Sequence, residues 1–201
     1  KGLLYKGHKV VPYCPRCGTS LSSHEVAQGY KDVRETSATV RFRCKDEDAS
    51  YLAWTTTPWT LPSNVCLCVN ANLIYCTARK GEESFILAKD LVEKVLGDGA
   101  DILSEYPGKA LVGRAYEPLF ECTATAAEKT GKRGHYVVAD DYVSAEDGTG
   151  IVHNAPAFGE DDYRVCMKND MPFIQLVDTR GNMTKDTPWA GVFVKQADHM
   201  I

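Results

Sequence analysis

The sequence predicts a mainly β domain of the α+β class, rolled into a closed or nearly closed barrel with a few peripheral helices. Short apolar or alternating runs of strand length recur along the chain, set apart by turn-forming residues. Helical spacing bounded by start or stop signals is confined to a few stretches. The composition is that of one ordinary globular core: 201 residues, 44% hydrophobic and 25% charged, with no repeat, low-complexity tract or long linker. Many short strands decorated by two or three helices suggest closure of the sheet.

The elements follow in order. The first 30 residues are rich in turn formers, and Val10 and Val11 lead into Tyr13-Cys14-Pro15-Arg16-Cys17-Gly18, where an extended hairpin turns. Ala38, Val40, Phe42 and Cys44 alternate with Thr39, Arg41 and Arg43, the pattern of a half-buried strand. A charged turn over 45–50 leads to a return strand over 51–57. Strands are expected at 65–69 and 73–78, around Asn70-Ala71-Asn72, and a short one at 85–87. Leu91, Val92, Val95 and Leu96 share one side of a helix over 89–96 that Gly97 stops. Further strands are expected at 110–112, 119–123, 136–139, 151–154, 173–177 and 192–194, with a helix over 159–168 that opens on three acids.

Acidic residues outnumber Lys and Arg by 27 to 23, a net charge of −4. A large nonspecific nucleic-acid footprint needs a basic face, so none is expected, whereas a pocket for one short single-stranded end is compatible. No run approaches the roughly 18 apolar residues of a membrane span, and residues 1–11 lack the apolar centre of a signal peptide. The expectation is a cytoplasmic domain with no membrane partner. Eight cysteines fit a reduced compartment. Most lie in strand-like runs, as Cys66 and Cys68 do, and read as small buried hydrophobes. Cys14 and Cys17 have the spacing of a zinc knuckle. Tetrahedral zinc takes four ligands and no second Cys-x-x-Cys occurs, so the pair is half a metal site or a tight turn that binds nothing.

Two segments could carry chemistry. The first, Trp54-Thr55-Thr56-Thr57-Pro58-Trp59-Thr60-Leu61-Pro62-Ser63-Asn64, crowds threonines, tryptophans and prolines together. The prolines remove backbone donors and end the strand, leaving backbone groups and hydroxyls in need of partners. That suits a small polar pocket as well as it suits a plain proline-rich bend. The second, Asp147 to Tyr163, reads as a glycine turn, a short strand ending near His153, a Pro-Gly loop and a helix start. Glu160, Asp161 and Asp162 fall where unpaired N–H groups and the helix dipole favour negative charge. One such carboxylate could hold a ligand ammonium, although N-terminal capping is the commoner use. His153 could be a base, a pocket wall or a satisfied core residue. No nucleophile elbow, H-E-x-x-H or P-loop occurs. Cys166 sits in the helix pattern beside Met167, where burial makes a thiol inert.

Taken together, W-T-T-T-P-W-T-L-P-S-N and G-T-G-I-V-H-N-A-P-A-F-G-E-D-D-Y resemble the editing domain, or CP1 insertion, of class I isoleucyl-tRNA synthetases. The opening V-P-Y-C-P-R-C-G-T-S-L-S-S-H-E-V is similar to the strands that lead into that insertion, and V-D-T-R-G-N-M-T fits as well, so the likeness runs from about residue 2 to 197. Valyl and leucyl relatives carry T-R-P-E-T-like or T-R-P-D-T-like loops, and Pro58-Trp59-Thr60 favours the isoleucyl branch. H-I-G-H-like and K-M-S-K-S-like signatures are absent. By the resemblance, ATP and Mg then act in a catalytic domain of a parent enzyme, outside this chain.

The resemblance implies lead-in strands and a cysteine turn over 1–30, then the editing domain proper over 31–201, compact as a whole and monomeric when isolated. It implies hydrolysis of mischarged Val-tRNA(Ile) that spares Ile-tRNA(Ile), with no cofactor for editing. Its partners would be the tRNA(Ile) 3′ end carrying a misattached amino acid and the remainder of the synthetase. Cys14 and Cys17 would hold a structural zinc only with a second cysteine pair beyond the insertion. Asp162 would bind the α-ammonium. Thr55, Thr56 and Thr57 would line the site and position the ester carbonyl and the attacking water. Trp59 and His153 would shape the side-chain pocket, with His153 as the wall that rejects isoleucine. Trp54 and Asn64 would support this shell. The alternatives are a valyl-type domain clearing threonine from tRNA(Val) and a noncatalytic zinc-knuckle module that docks RNA or protein.

Overall fold

The computed structural model of the chain describes residue 4 and residues 9–201. A two-stranded ribbon, β1 (Tyr13–Cys14) and β2 (Thr19–Ser20), turns at Gly18, whose φ of 70° suits glycine. The short helix α1 (Ser23–Gln28) follows, closed at its start by a reciprocal Ser22–Glu25 capping box. The main sheet holds five strands: β3 (Ala38–Arg43), β4 (Ser50–Thr55), β6 (Ile74–Lys80), β7 (Glu83–Ala88) and β8 (Asp101–Pro107), in the order β3-β4-β7-β6-β8. A smaller sheet holds β5 (Cys66–Val69), β9 (Tyr136–Ala139) and β10 (Val152–Asn154), with β5 in the middle. Helices α2 (Val92–Leu96), α3 (Glu121–Glu128), α4 (Glu160–Lys168) and α5 (Val194–Ala197) complete the list.

The class is mainly β, as expected. Hydrogen bonding leaves two sheets rather than one continuous ring, with single bridges joining them. Cys44 after β3 bridges Tyr116, and the adjacent Ala115 bridges Tyr136 of β9. Between the sheets lies one apolar cluster, with Phe42, Tyr51, Tyr75 and Ile86 from the large sheet against Leu67 and Val137 from the small one. Burial of each such side chain stabilises the fold by roughly 1.5–3 kcal/mol. The alternation over 38–44 holds as read: Phe42 and Cys44 are buried, and Thr39, Arg41 and Arg43 are exposed. Gly97, at φ 69°, stops α2 and donates to the Glu93 carbonyl.

Several expected strands are not strands. Residues 108–111 form a 3₁₀ turn after Pro107. The 119–123 run is instead the approach to α3, where Ala124, Ala126 and Ala127 carry the chain into a helix. The 173–177 run pairs only through a single bridge from Val177 to Met183, and Val194 opens α5 instead of closing a strand at 192–194. Conversely, β8 carries no sequence signal, and α1 carries only the Ser22–Glu25 capping box, with no apolar face to announce it. β8 is an edge strand bonded to β6 alone and exposed along most of its length, so no apolar alternation marks it. No residue of α1 is buried.

The topology brings three chain ends to one corner. β4 ends at Thr55 and runs into the 3₁₀ turn Pro58–Ser63. β10 pairs with β5, placing His153 opposite Leu67, and then leaves through Ala155 and Pro156. α4 starts just beyond, at Glu160. Gly150, at φ 74°, begins this path where a Cβ would fall 2.4 Å from the Ala88 Cβ, so a side chain there would drive the two sheets apart.

Candidate functional site

The threonine segment is held by its own side chains. Thr55 Oγ1 accepts from the Thr57 backbone N–H at 3.0 Å and lies 3.3 Å from Thr57 Oγ1. Pro58 fits the first position of the 3₁₀ turn, where a missing N–H costs nothing. Thr60 donates its hydroxyl to the Thr57 carbonyl at 2.8 Å and sits 3.0 Å from His153 Nε2. Trp59 is fixed from the far end of the chain: its backbone N–H donates to Asp198 Oδ1 at 3.0 Å, and its ring meets Phe158 edge-on at 4.9 Å. The half-buried Thr56 hydroxyl has no hydrogen bond among the described residues. Trp54 lies beside Gly148, and 42% of its surface is exposed.

His153 is buried, and burial alone pushes its pKa down to about 4, so the ring is neutral at physiological pH. Its Nδ1 has no partner among the described residues. Two residues on, the Ala155 N–H donates to Asp162 Oδ1 at 3.1 Å. Asp162 is the acid of the three that turns inward. Asp161 pairs with Arg164 at 3.0 Å, and Glu160 is exposed. The inward turn depends on Gly159, because a Cβ there would stand 1.8 Å from Asp162 Oδ2. Burial pushes the Asp162 carboxyl up to about 6, against backbone hydrogen bonds that pull it down, and Asp161 adds to the rise. Among the described residues no cation pairs with Asp162.

Thr55, Thr57, Thr60 and His153 thus form one hydrogen-bonded run, and Asp162 is tied to the loop that leaves His153. Asn64 stands apart from them. It is buried, its Oδ1 accepts from the Tyr116 hydroxyl at 2.6 Å, and its Nδ2 donates to the Cys66 carbonyl at 3.0 Å. Sequence reasoning named Thr60 only as one letter of its loop. The signal was there, since a hydroxyl three residues after Thr57 in a proline-started turn can bond back to the Thr57 carbonyl. Its contact with His153, 93 positions away, had no signal.

Cys14 and Cys17 lie at the ribbon turn, where the Cys17 N–H donates to Cys14 Sγ at 3.4 Å. Hydrogen bonds from Cys17 hold the Cys14 thiol below its ordinary value and raise that of Cys17. Among the described residues no group of three or more His, Cys, Asp or Glu could hold a metal ion. The pair therefore supplies half a tetrahedral set and does not by itself fit a zinc ion. Cys44, Cys66, Cys68, Cys76 and Cys166 are buried free thiols, and Cys166 Sγ lies 3.8 Å from Cys66 Sγ.

Among the described residues, a cleft of about 550 Å³ runs between the lead-in segment and the corner, with Tyr13, Trp59, Phe158, Tyr163 and Asp178 on its walls. Another, about 740 Å³, lies between α3 and residues 185–189 and includes none of the expected site residues.

The family described as tRNA synthetases class I (I, L, M and V) matches residues 1–188. The chain is 56% identical over 203 residues to the isoleucine–tRNA ligase of Clostridium novyi (strain NT), covering 100% of this chain and 19% of that protein. It is 52% identical over 202 residues to the corresponding ligase of Clostridium kluyveri, again covering 19% of it. The chain therefore spans about a fifth of the length of these relatives. Among solved structures, the crystal structure of GlLeuRS-CP1 matches with a TM-score of 0.61 over 77% of this chain and 80% of that one, at 17% identity, a likeness of fold.

Proposed function

Because the chain belongs to the class I tRNA synthetases, we propose that it is the editing domain of an isoleucine–tRNA ligase, hydrolysing the ester of Val-tRNA(Ile) and sparing Ile-tRNA(Ile). The observation that carries this reading is Asp162, an inward-turned carboxylate without a cation among the described residues, tied through the Ala155 N–H to the loop that leaves a neutral, buried histidine, which is itself bonded to the threonine turn. An α-ammonium supplies the counter-charge that Asp162 lacks. Ion pairing in a partly buried place favours the ionised carboxylate, so substrate binding lowers the very pKa that burial raises.

An aminoacyl ester is already activated, and its hydrolysis asks for positioning and polarisation more than for a covalent nucleophile. Asp162 fixes the amino end. Thr55, Thr56 and Thr57 position the ester carbonyl and the attacking water, and Thr56 has a hydroxyl to spare for this. Trp59 and His153 bound the side-chain pocket. One methylene is worth only about 1–3 kcal/mol, a general figure for which isoleucine against valine is the usual illustration, so a second, hydrolytic sieve adds what binding alone lacks. An uncharged wall suits the task, because it excludes by size without drawing water or a carboxylate into the pocket.

Trp54 presents an exposed indole one residue before the threonines, a face on which the 3′-terminal base of tRNA(Ile) can stack. The other partner is the remainder of the ligase, in which activation with ATP and Mg takes place. A structural zinc there would need ligands beyond Cys14 and Cys17. Among the described residues no helix is long and apolar enough to cross a membrane, and the reading places the protein in the cytoplasm with the translation machinery.

Deacylation assays with Val-, Thr- and Ile-charged tRNA test the proposal. Release of valine with isoleucine spared supports it. Release of threonine from tRNA(Val) alone reassigns the domain to the valyl branch. No release from any of the three, with RNA still bound, returns it to a noncatalytic role.

A further inference from the structure

The start of a helical turn leaves its first backbone N–H groups without an acceptor inside the turn, and the residue just before it commonly supplies one from its side chain. In the 3₁₀ turn Pro58–Ser63 few such groups need a partner. Pro58 has no N–H. The Thr60 N–H donates to the Thr57 carbonyl at 3.0 Å. The Trp59 N–H remains. Thr57 stands in the capping place and is a residue type that caps well, yet its side chain makes no capping bond. Its hydroxyl lies 3.3 Å from Thr55 Oγ1 instead. The acceptor for the Trp59 N–H comes from 139 positions away: it is Asp198 Oδ1, at 3.0 Å. The place of Asp198 is not explained by its own helix. It directly follows α5, where the helix dipole disfavours an acid. Its side chain is only 14% exposed, and Lys195 Nζ stands 3.8 Å from Oδ2, which leaves Oδ1 to the Trp59 N–H. Lys195 is shared with Glu35, at 2.8 Å.

We propose that Asp198 is a positioning residue: it caps the threonine turn from the far end of the chain and so leaves the Thr57 hydroxyl to the ester. The inference rests on the proposed function for that consequence, not for the cap, which stands on the hydrogen bonds. A turn capped by Thr57 would aim that hydroxyl at the Trp59 N–H, the usual target of a capping side chain. The hydroxyl would then be held by the backbone and withdrawn from the carbonyl and water it is to position. A carboxylate is the stronger acceptor for an N–H, so Asp198 takes over the capping duty and fixes Trp59, a wall of the side-chain pocket, by its main chain.

The experiment is made on the whole ligase and has two arms. In the first, deacylation kinetics with Val-tRNA(Ile) compare Asp198→Ala, which removes the acceptor, with Asp198→Asn, which keeps one. Asp198→Ala is expected to lower kcat by roughly 3- to 30-fold, the span that loss of a cap covers, with KM changed by less than about twofold. Asp198→Asn is expected to restore kcat to within about threefold. In a Thr57→Val background no hydroxyl is left to recruit, and Asp198→Ala is expected to cost no more than about twofold further. Equal losses in both backgrounds overturn the proposal. So does an Asp198→Ala ligase that only melts earlier with kcat unchanged, or a loss that Asp198→Asn fails to restore. In the second arm, hydrogen exchange resolved at the Trp59 amide is read by mass spectrometry without any tRNA. Slow exchange in the unaltered ligase, lost in Asp198→Ala and kept in Asp198→Asn, is the expected result. If Asp198→Ala does not fold, the unaltered ligase and Asp198→Asn still decide: a Trp59 amide that exchanges as fast as an unfolded peptide in either overturns the cap. Should the unaltered ligase fail to hydrolyse Val-tRNA(Ile), the functional reading fails while the exchange still judges the cap.

Discussion

Asp140, just after β9, and Asp162, in the first turn of α4, are both carboxylates near α4, and what separates them is a counter-charge. Asp140, with a side chain 8% exposed, takes two hydrogen bonds of 2.9 Å from the Arg164 guanidinium, with Lys168 at 3.8 Å. Arg164 is the main cause that holds its carboxyl below the ordinary value. Asp162, in the first turn of α4, receives the Ala155 N–H and, among the described residues, no cation, and burial holds it above the ordinary value. A buried acid to which the fold supplies a cation is part of the architecture. One left without is where the proposed function seats the ligand's ammonium.

The contrast can be broken or sharpened by measurement, and the largest effect is expected at Asp162 itself. Asp162→Asn keeps an acceptor for the Ala155 N–H but removes the charge. A hydrogen bond to a charged group is worth about 1.5–3 kcal/mol, so deacylation of Val-tRNA(Ile) should drop by roughly 10- to 100-fold or more. The melting temperature near neutral pH should hold or rise. The sign follows from linkage: an acid raised in the folded state favours folding most at pH below its ordinary value and loses that contribution as pH climbs through about 6. Normal hydrolysis by this variant would end the ammonium assignment. Next comes His153→Ala, which removes the wall. Hydrolysis of Ile-tRNA(Ile) is expected to rise by roughly 10- to 200-fold relative to Val-tRNA(Ile). A variant that still spares isoleucine would move the sieve elsewhere.

A third measurement needs no substitution. In the unaltered chain, kcat/KM should fall as pH drops through about 6, where free Asp162 takes up its proton. The corresponding pKa in kcat should be lower, because the bound ammonium favours the carboxylate. The titration of His153 near 4 lies too low to shape that limb. A flat profile from about pH 5 to 8 would contradict the assignment. Trp54→Ala should act on binding alone, raising KM for charged tRNA by roughly fivefold or more if a base stacks there at about 1–3 kcal/mol. The smallest effect on activity is expected from Arg164→Ala, which should lower the melting temperature near neutral pH and leave deacylation unchanged. Its stability cost should disappear at acid pH, since a depressed acid contributes above its ordinary pKa and loses that as pH falls through the folded value.

Much of this was legible before any coordinates. The strand over 38–43 could be read because one of its faces is buried and the other is not. The helix over 160–168 could be read from its acids and its glycine start. β8 was not legible, since an edge strand without a buried face leaves no pattern in the residues. α3 was hidden by Leu119 and Phe120, whose apolar side chains look like a strand but only lead the chain into the helix. Within the site, three adjacent acids were equivalent on paper. Arg164 took Asp161 to the surface, Glu160 stayed in solvent, and Gly159 left room for Asp162 to fold inward. Asn64, adjacent to the loop in sequence, spends its amide on Cys66 and Tyr116.

The sequence by itself determined the class of the fold, the threonine loop, the glycine turn before His153 and the acidic helix start, because each is written in neighbouring residues through local backbone chemistry. Only the tertiary structure decided which acid lacks a cation, which hydroxyl meets the histidine and which ring nitrogen is left bare. Those are matters of who stands within about 3 Å of whom across long stretches of chain, and desolvation, which shifts the titration of Asp162 and His153, exists only once the folded chain has packed around them.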